Sequence, residues 1–219
     1  MTGSTADRPA VAGSAVRGGL LISFDGPGGV GKTTLSRRLA DILAERGLTT
    51  QSTTEPSPSP LGQFARHAPD HLSGRALACL IAADRYHHLD AEILPALSAG
   101  RIVVTDRYLP ASLVLQRLDG VDLDFIWAVN RHVRPPDLAI VCTADPAVLE
   151  QRLAARGRHN RFEDPGVSAD QSRLYEQTIA LLETAGWPVL GLDCTSAAPS
   201  ELVARILPSV IALVEAQVR

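Results

Sequence analysis

The stretch from Leu20 to Thr34, LLISFDGPGGVGKTT, restricts what this chain can fold into more than any other. A short apolar run, Leu20 to Phe24, reads as a buried parallel strand, and Gly26, Gly31, Lys32 and Thr33 then fill the pattern G-x-x-x-x-G-K-[ST]. A loop of this kind wraps a polyphosphate. Gly26, Gly28, Gly29 and Gly31 let the backbone take up positive φ and turn its N–H groups inward, with Val30 between them and Thr34 just beyond. The helix that follows, from about Lys32 to Arg46, presents its positive dipole end to the same anion. Lys32 is expected to reach the β- and γ-phosphates as a point charge, and the Thr33 hydroxyl to hold Mg²⁺.

With 219 residues, 45% of them hydrophobic and 21% charged, the chain can bury one sizeable core, and residues 20–219 are expected to form one α/β domain. Residues 1–19, rich in Gly, Ala, Ser and Thr without periodicity, are expected to be a disordered tail. A net charge of −3 gives no global basic field, so nucleic acid is not an expected partner and anion recognition falls to local arginines. The three cysteines, Cys79, Cys142 and Cys194, are odd in number and far apart, which predicts reduced core thiols in a cytoplasmic protein. No apolar run approaches the roughly 20 residues of a membrane span, and the N-terminus lacks the apolar stretch of a signal peptide.

Along the chain, Thr49 to Thr54 reads as a strand near a sheet edge, stopped by the prolines of Glu55 to Pro60. A short helix over Leu61 to His67 precedes a long one over Gly74 to Ala99, bent or restarted near Pro95. Strands are expected over Arg101 to Asp106, Leu138 to Thr143 and Trp187 to Leu192. Helices are expected over Ala111 to Gln116, Leu123 to Val133, Ala147 to Arg156, Ser168 to Ala185 and Ser200 to Val218. The alternation predicts a three-layer α/β fold, a five-stranded parallel sheet covered by helices on both faces. Segment 156–164, charged and without apolar periodicity, reads as an arginine-containing lid.

Four features point to a second site beside the loop. Asp106 and Arg107 close a strand at its C-terminal end, where ligands sit in an open sheet, with the carboxylate near the metal and the guanidinium near a second anion. Asp84-Arg85 lies on the long helix, from which the arginine reaches the same cleft. Ser112 and Gln116 share one helical face. Arg156, Arg158 and Arg161 populate the lid, which suits neutralisation of charge in phosphoryl transfer.

In the order and spacing of these pieces the sequence resembles the thymidylate kinase family of P-loop kinases, from about Leu20 to Asp164. The matching residues are the phosphate loop, Glu55-Pro56, Ala82 to Arg85, Val104 to Tyr108, Ser112 with Gln116, Arg134 to Leu138 and the arginine lid. The resemblance implies a nucleoside monophosphate kinase that uses ATP and Mg²⁺, acts on dTMP or a close analogue, and forms a homodimer through its long helices around Leu77 to Ile81. It implies that Arg107 holds the acceptor phosphate, that Arg85 and Gln116 face the pyrimidine edge with Ser112 beside the base, and that Glu55, Arg66 and Ile81 complete the pocket. Three positions depart from the family pattern: Thr54 replaces an arginine, Ile81 a stacking phenylalanine and Leu115 a tyrosine. A specialised kinase for another nucleotide or small phosphorylated metabolite is therefore an open alternative. The run Gly28 to Thr34 also resembles partition-type ATPases, which leaves an ATP-driven switch as a further one, although nothing in a switch explains Arg85, Ser112, Gln116 and a lid.

Overall fold

In the computed structural model, which describes residues 18–157 and 161–218, five strands form one parallel sheet: β1 (Leu20–Asp25), β2 (Thr50–Thr54), β3 (Ile102–Asp106), β4 (Leu138–Thr143) and β5 (Val189–Asp193). The spatial order is β2-β3-β1-β4-β5. The expected tail and the lid residue Arg158 lie outside the described residues, apart from Gly18 and Gly19 at the tail's end. Strands apolar on both faces demand cover on both. Leu20, Ile22 and Phe24 point to one side, where α1 (Lys32–Glu45) and the last helix, Pro199–Val218, pack on them; Leu21 points to the other.

Between the first and last helix run α2 (Pro60–His67), α3 (Gly74–His88), α4 (Leu94–Ser98), α5 (Leu109–Leu118), α6 (Leu123–Val129), α7 (Pro146–Arg156) and α8 (Val167–Thr184), so the last is α9. Helices α3 to α6 and α8 cover the second face of the sheet. Pairing of Phe24 and of Thr54 with Asp106 brings the C-terminal ends of β1, β2 and β3 level, so Asp25, Thr54, Asp106 and Arg107 gather on one rim.

Several sequence expectations shift for identifiable reasons. The helix expected to run through Val133 stops at Val129, because the Asn130 amide donates to Ile126 O at 2.8 Å and takes over a helix carbonyl. The long helix passes through a π turn at Leu89–Ile93 before restarting at Leu94, since Pro95 has no N–H to continue the ladder. Cys142 and Cys194 are buried as expected, but Cys79 is exposed: it lies on the outward stripe of α3 with Ala76, Ala83 and His87. Leu77, expected on a helix-helix contact between subunits, turns inward against Ala68 and Phe162. No helix among the described residues is long and apolar enough to cross a membrane.

Candidate active site

The phosphate loop leaves β1 through Gly26 at φ 148°, where a Cβ would lie 2.5 Å from Cys142 O, so no other residue fits. Gly28 does not adopt positive φ; its lack of a side chain instead admits Glu163, whose Oε1 would be 2.8 Å from a Cβ there. Lys32 is 6% exposed and its Nζ donates to Pro27 O at 2.8 Å. Burial, then the field of Arg107, lowers its pKa to about 7. On the far side of the loop a recess of about 240 Å³ is lined by Gly29, Val30, Gly31, Thr34, Arg152 and Cys194.

A polyphosphate that reaches Lys32 favours its charged form, so binding above pH 7 takes up a proton. ATP affinity is therefore expected to be flat below about pH 7 and to weaken by up to tenfold per unit above it. Titration calorimetry at pH 8 in two buffers of different ionisation enthalpy reads this as an uptake approaching one proton, and no uptake would refute it.

At the strand ends, the Thr33 hydroxyl donates to Asp106 Oδ2, while Asp106 Oδ1 is buried with no partner among the described residues. Two hard oxygens side by side next to a phosphate loop suit Mg²⁺, with phosphate and water oxygens to complete the shell. Behind them Asp25 Oδ1 accepts from the Tyr108 and Ala111 N–H groups at 3.0 and 2.9 Å, and burial pushes its pKa up to about 6.

A cavity of about 510 Å³ opens from this rim, and Gly28, Thr33, Asp106 and Arg107 line its phosphate end. Arg107 is the non-glycine residue at positive φ, 78°, among the described residues. Its N–H donates to Phe24 O at 2.8 Å and its carbonyl accepts from the Thr105 hydroxyl at 2.8 Å. A strained main chain of this kind costs about 1–3 kcal/mol and persists only where its surroundings enforce it. Burial pulls the Arg107 pKa down, yet Tyr175, Asp106, Asp25 and Glu163 hold it above its ordinary value, so the cation is secure.

The other end is apolar, with Ile81 and Leu115 among its walls, and Thr54, Glu55 and Arg66 also border the cavity. Arg66 Nη2 donates to Pro56 O. Arg85, 1% exposed, spends four N–H groups on protein: Glu55 Oε2 (2.8 Å), Asn130 Oδ1 (2.7 Å), Tyr108 O (3.3 Å) and Ser112 Oγ (2.9 Å). It borders the cavity as a braced group with one N–H to spare. Gln116 is buried beside it, and its Oε1 has no partner among the described residues.

The segment after α7 divides. Arg156 lines the cavity and binds both oxygens of Glu163 at 2.8 Å. Arg161, expected to act on the transferring group, does not line it: two bonds of 2.7 Å to Asp119 and others to Pro69 O and Leu72 O turn it away as a strut. Four site residues escaped the sequence reading, namely Asp25, Asn130, Glu163 and Gln171. Gln171 Oε1 accepts from Gly28 N at 3.4 Å and its amide donates to Phe162 O, which fastens segment 161–163 to the phosphate loop.

The family model described as thymidylate kinase matches residues 24–187, a span that holds the phosphate loop and the Asp106-Arg107 rim. The chain belongs to the thymidylate kinase family. It is 39% identical over 148 residues to a probable thymidylate kinase of Caldivirga maquilingensis, covering 66% of this chain and 72% of that protein. It is also 39% identical over 149 residues to a thymidylate kinase of Xanthomonas campestris pv. campestris, covering 67% of this chain and 66% of that protein. A Xanthomonas oryzae pv. oryzae thymidylate kinase matches at 38% over 149 residues, again 67% of this chain and 66% of the relative. Membership in the thymidylate kinase family makes the chain an ATP-dependent phosphotransferase with a nucleotide-binding site.

Proposed function

We propose that this thymidylate kinase family member transfers the γ-phosphoryl group of ATP to dTMP, giving dTDP, with Mg²⁺. The observation that carries the reading is the shared crevice: Thr33 and Asp106 of the donor side and Arg107 of the acceptor side line one cavity. An acceptor phosphate on Arg107 stands beside the loop that holds the donor, and such a reaction needs placement and charge neutralisation rather than a covalent intermediate. Thr33 and Asp106 would hold the ion, which would supply neutralisation of phosphate charge there. Lys32 exchanges Pro27 O for a phosphate oxygen, and Arg156 faces the transferring group from the lid side. The buried Gln116 oxygen supports a pyrimidine acceptor, since it awaits a donor such as a ring N–H. The recess beside Gly29 to Gly31 suits the donor nucleoside. We further propose a cytoplasmic homodimer that docks through the exposed face of α3, with no nucleic acid or membrane partner.

One observation favours a second reading within the same chemistry. Thr54, Ile81 and Leu115, the three departures from the family pattern, all border the acceptor cavity, so a related monophosphate can fit in place of dTMP. A coupled ADP-release assay across nucleoside monophosphates separates the two. We expect the strongest response to dTMP, and a rise of about a hundredfold in acceptor KM for Arg107→Ala with ATP KM little changed. ADP release indifferent to every acceptor would sink both readings.

A further inference from the structure

We infer that His88 is a positioning residue for the acceptor socket: it seats Glu55, and through Glu55 it fixes the Arg85 guanidinium. His88 lies three residues after Arg85 on α3 and is 1% exposed, yet it does not line the cavity. Its Nδ1 faces Glu55 Oε1 at 3.6 Å, an electrostatic approach longer than a hydrogen bond, and neither atom has a hydrogen-bond partner among the described residues. The second oxygen of the same carboxylate takes Arg85 Nε at 2.8 Å. On the other side of the ring, Nε2 is 2.8 Å from the Thr53 hydroxyl and 3.4 Å from Glu92 Oε2. Glu92 accepts in turn from Gln51 and Gln51 from Arg101, so a polar chain runs from the sheet edge through His88 to Ser112.

The reason Glu55 needs a seat lies in the sequence. It follows β2 directly and precedes Pro56, Pro58 and Pro60, so no helix ladder steadies it. A carboxylate held by one oxygen swivels about that bond, and a buried lone oxygen is costly. Facing only a carboxylate oxygen, Nδ1 carries a proton, and the ring then holds Glu55 square to Arg85. The neighbouring Arg85 cation makes the same cluster unfit for a metal ion. His87, adjacent in sequence, points to solvent. The kinetic part of the test rests on the acceptor reading above; the spectroscopic part does not.

His88→Gln reaches toward the Nε2 position and leaves Glu55 Oε1 without a donor, whereas His88→Asn keeps an N–H near the Nδ1 position. We expect His88→Gln to raise dTMP KM about tenfold with ATP KM within about twofold, and His88→Asn to restore most of the loss. Without any acceptor, amide-type exchange of the Arg85 Nε–H, followed by 1H–15N NMR, should speed up about tenfold in His88→Gln and hold within about twofold in His88→Asn. Should His88→Gln not fold, Thr53→Val, which frees the ring at Nε2, is expected to show the same pattern more weakly. Arg85 exchange unchanged in a folded His88→Gln, or acceptor and ATP KM rising together, would overturn the role. Wild-type enzyme that ignores dTMP counts against the acceptor reading alone, because the exchange measurement still decides the role of His88.

Discussion

Lys32→Ala should lower kcat/KM by about a thousandfold while leaving the fold intact or more stable. The loss follows from geometry: the loop offers main-chain amides and one buried cation, and a preorganised charge at the transferring group is worth that much in a water-poor site. The effect on stability has the opposite sign. Burial lowers the Lys32 pKa from 10.5 to about 7, so the unfolded chain binds more protons between those values. The fold is penalised in full below about pH 7, and the penalty fades as pH rises toward 10.5. Melting curves at pH 6.5 should therefore place Lys32→Ala at or above the wild type, and the gap should narrow by about half by pH 9. A variant that melts well below the wild type at pH 6.5 would show that Lys32 is a structural prop rather than a strained functional group.

The second large effect concerns Glu55 and Arg85, whose side chains are 4% and 2% exposed across a 2.8 Å contact. Removing either partner strands a charge in the interior, which costs about 3–5 kcal/mol, on the order of 10 °C in melting temperature for a chain of this size. Glu55→Gln and Arg85→Met should each show that loss, together with a large rise in acceptor KM. The double variant should recover much of the stability and none of the affinity, because a neutral pair packs well but cannot brace Ser112 and Asn130. Single variants that melt within about 2 °C of the wild type would mean that the pair is hydrated and does not organise the socket.

The donor half of the site was legible because its chemistry sits in fifteen consecutive residues with a fixed spacing. The strand before the loop, the helix after it and the carboxylate closing β3 follow from the same local rules. Arg85 was legible as a residue that reaches the cleft, which it does, but its partners were not, because nothing local in the sequence points from α3 to Glu55. The structure buries Arg85 against Glu55 and leaves Asp84 to accept from Ser57 N and Oγ. Gln171 meets Gly28 across 143 positions and Asp25 meets Ala111 across 86, distances over which no periodicity carries information. Arg156 and Arg161 look alike in sequence, and only partners elsewhere distinguish them: Glu163 keeps Arg156 by the loop, while Asp119 draws Arg161 off. Cys79 was assigned to the core from its apolar neighbours, yet its angular position on α3 puts it outside.

Glu163 occupies the space that a side chain at residue 28 would need. Negative charge above the loop is thus delivered by a separate piece of chain, not by the glycine frame that cradles the nucleotide. Evolution or engineering can adjust that charge at position 163 without disturbing a single loop dihedral, and the strength of the anion grip becomes tunable apart from its shape.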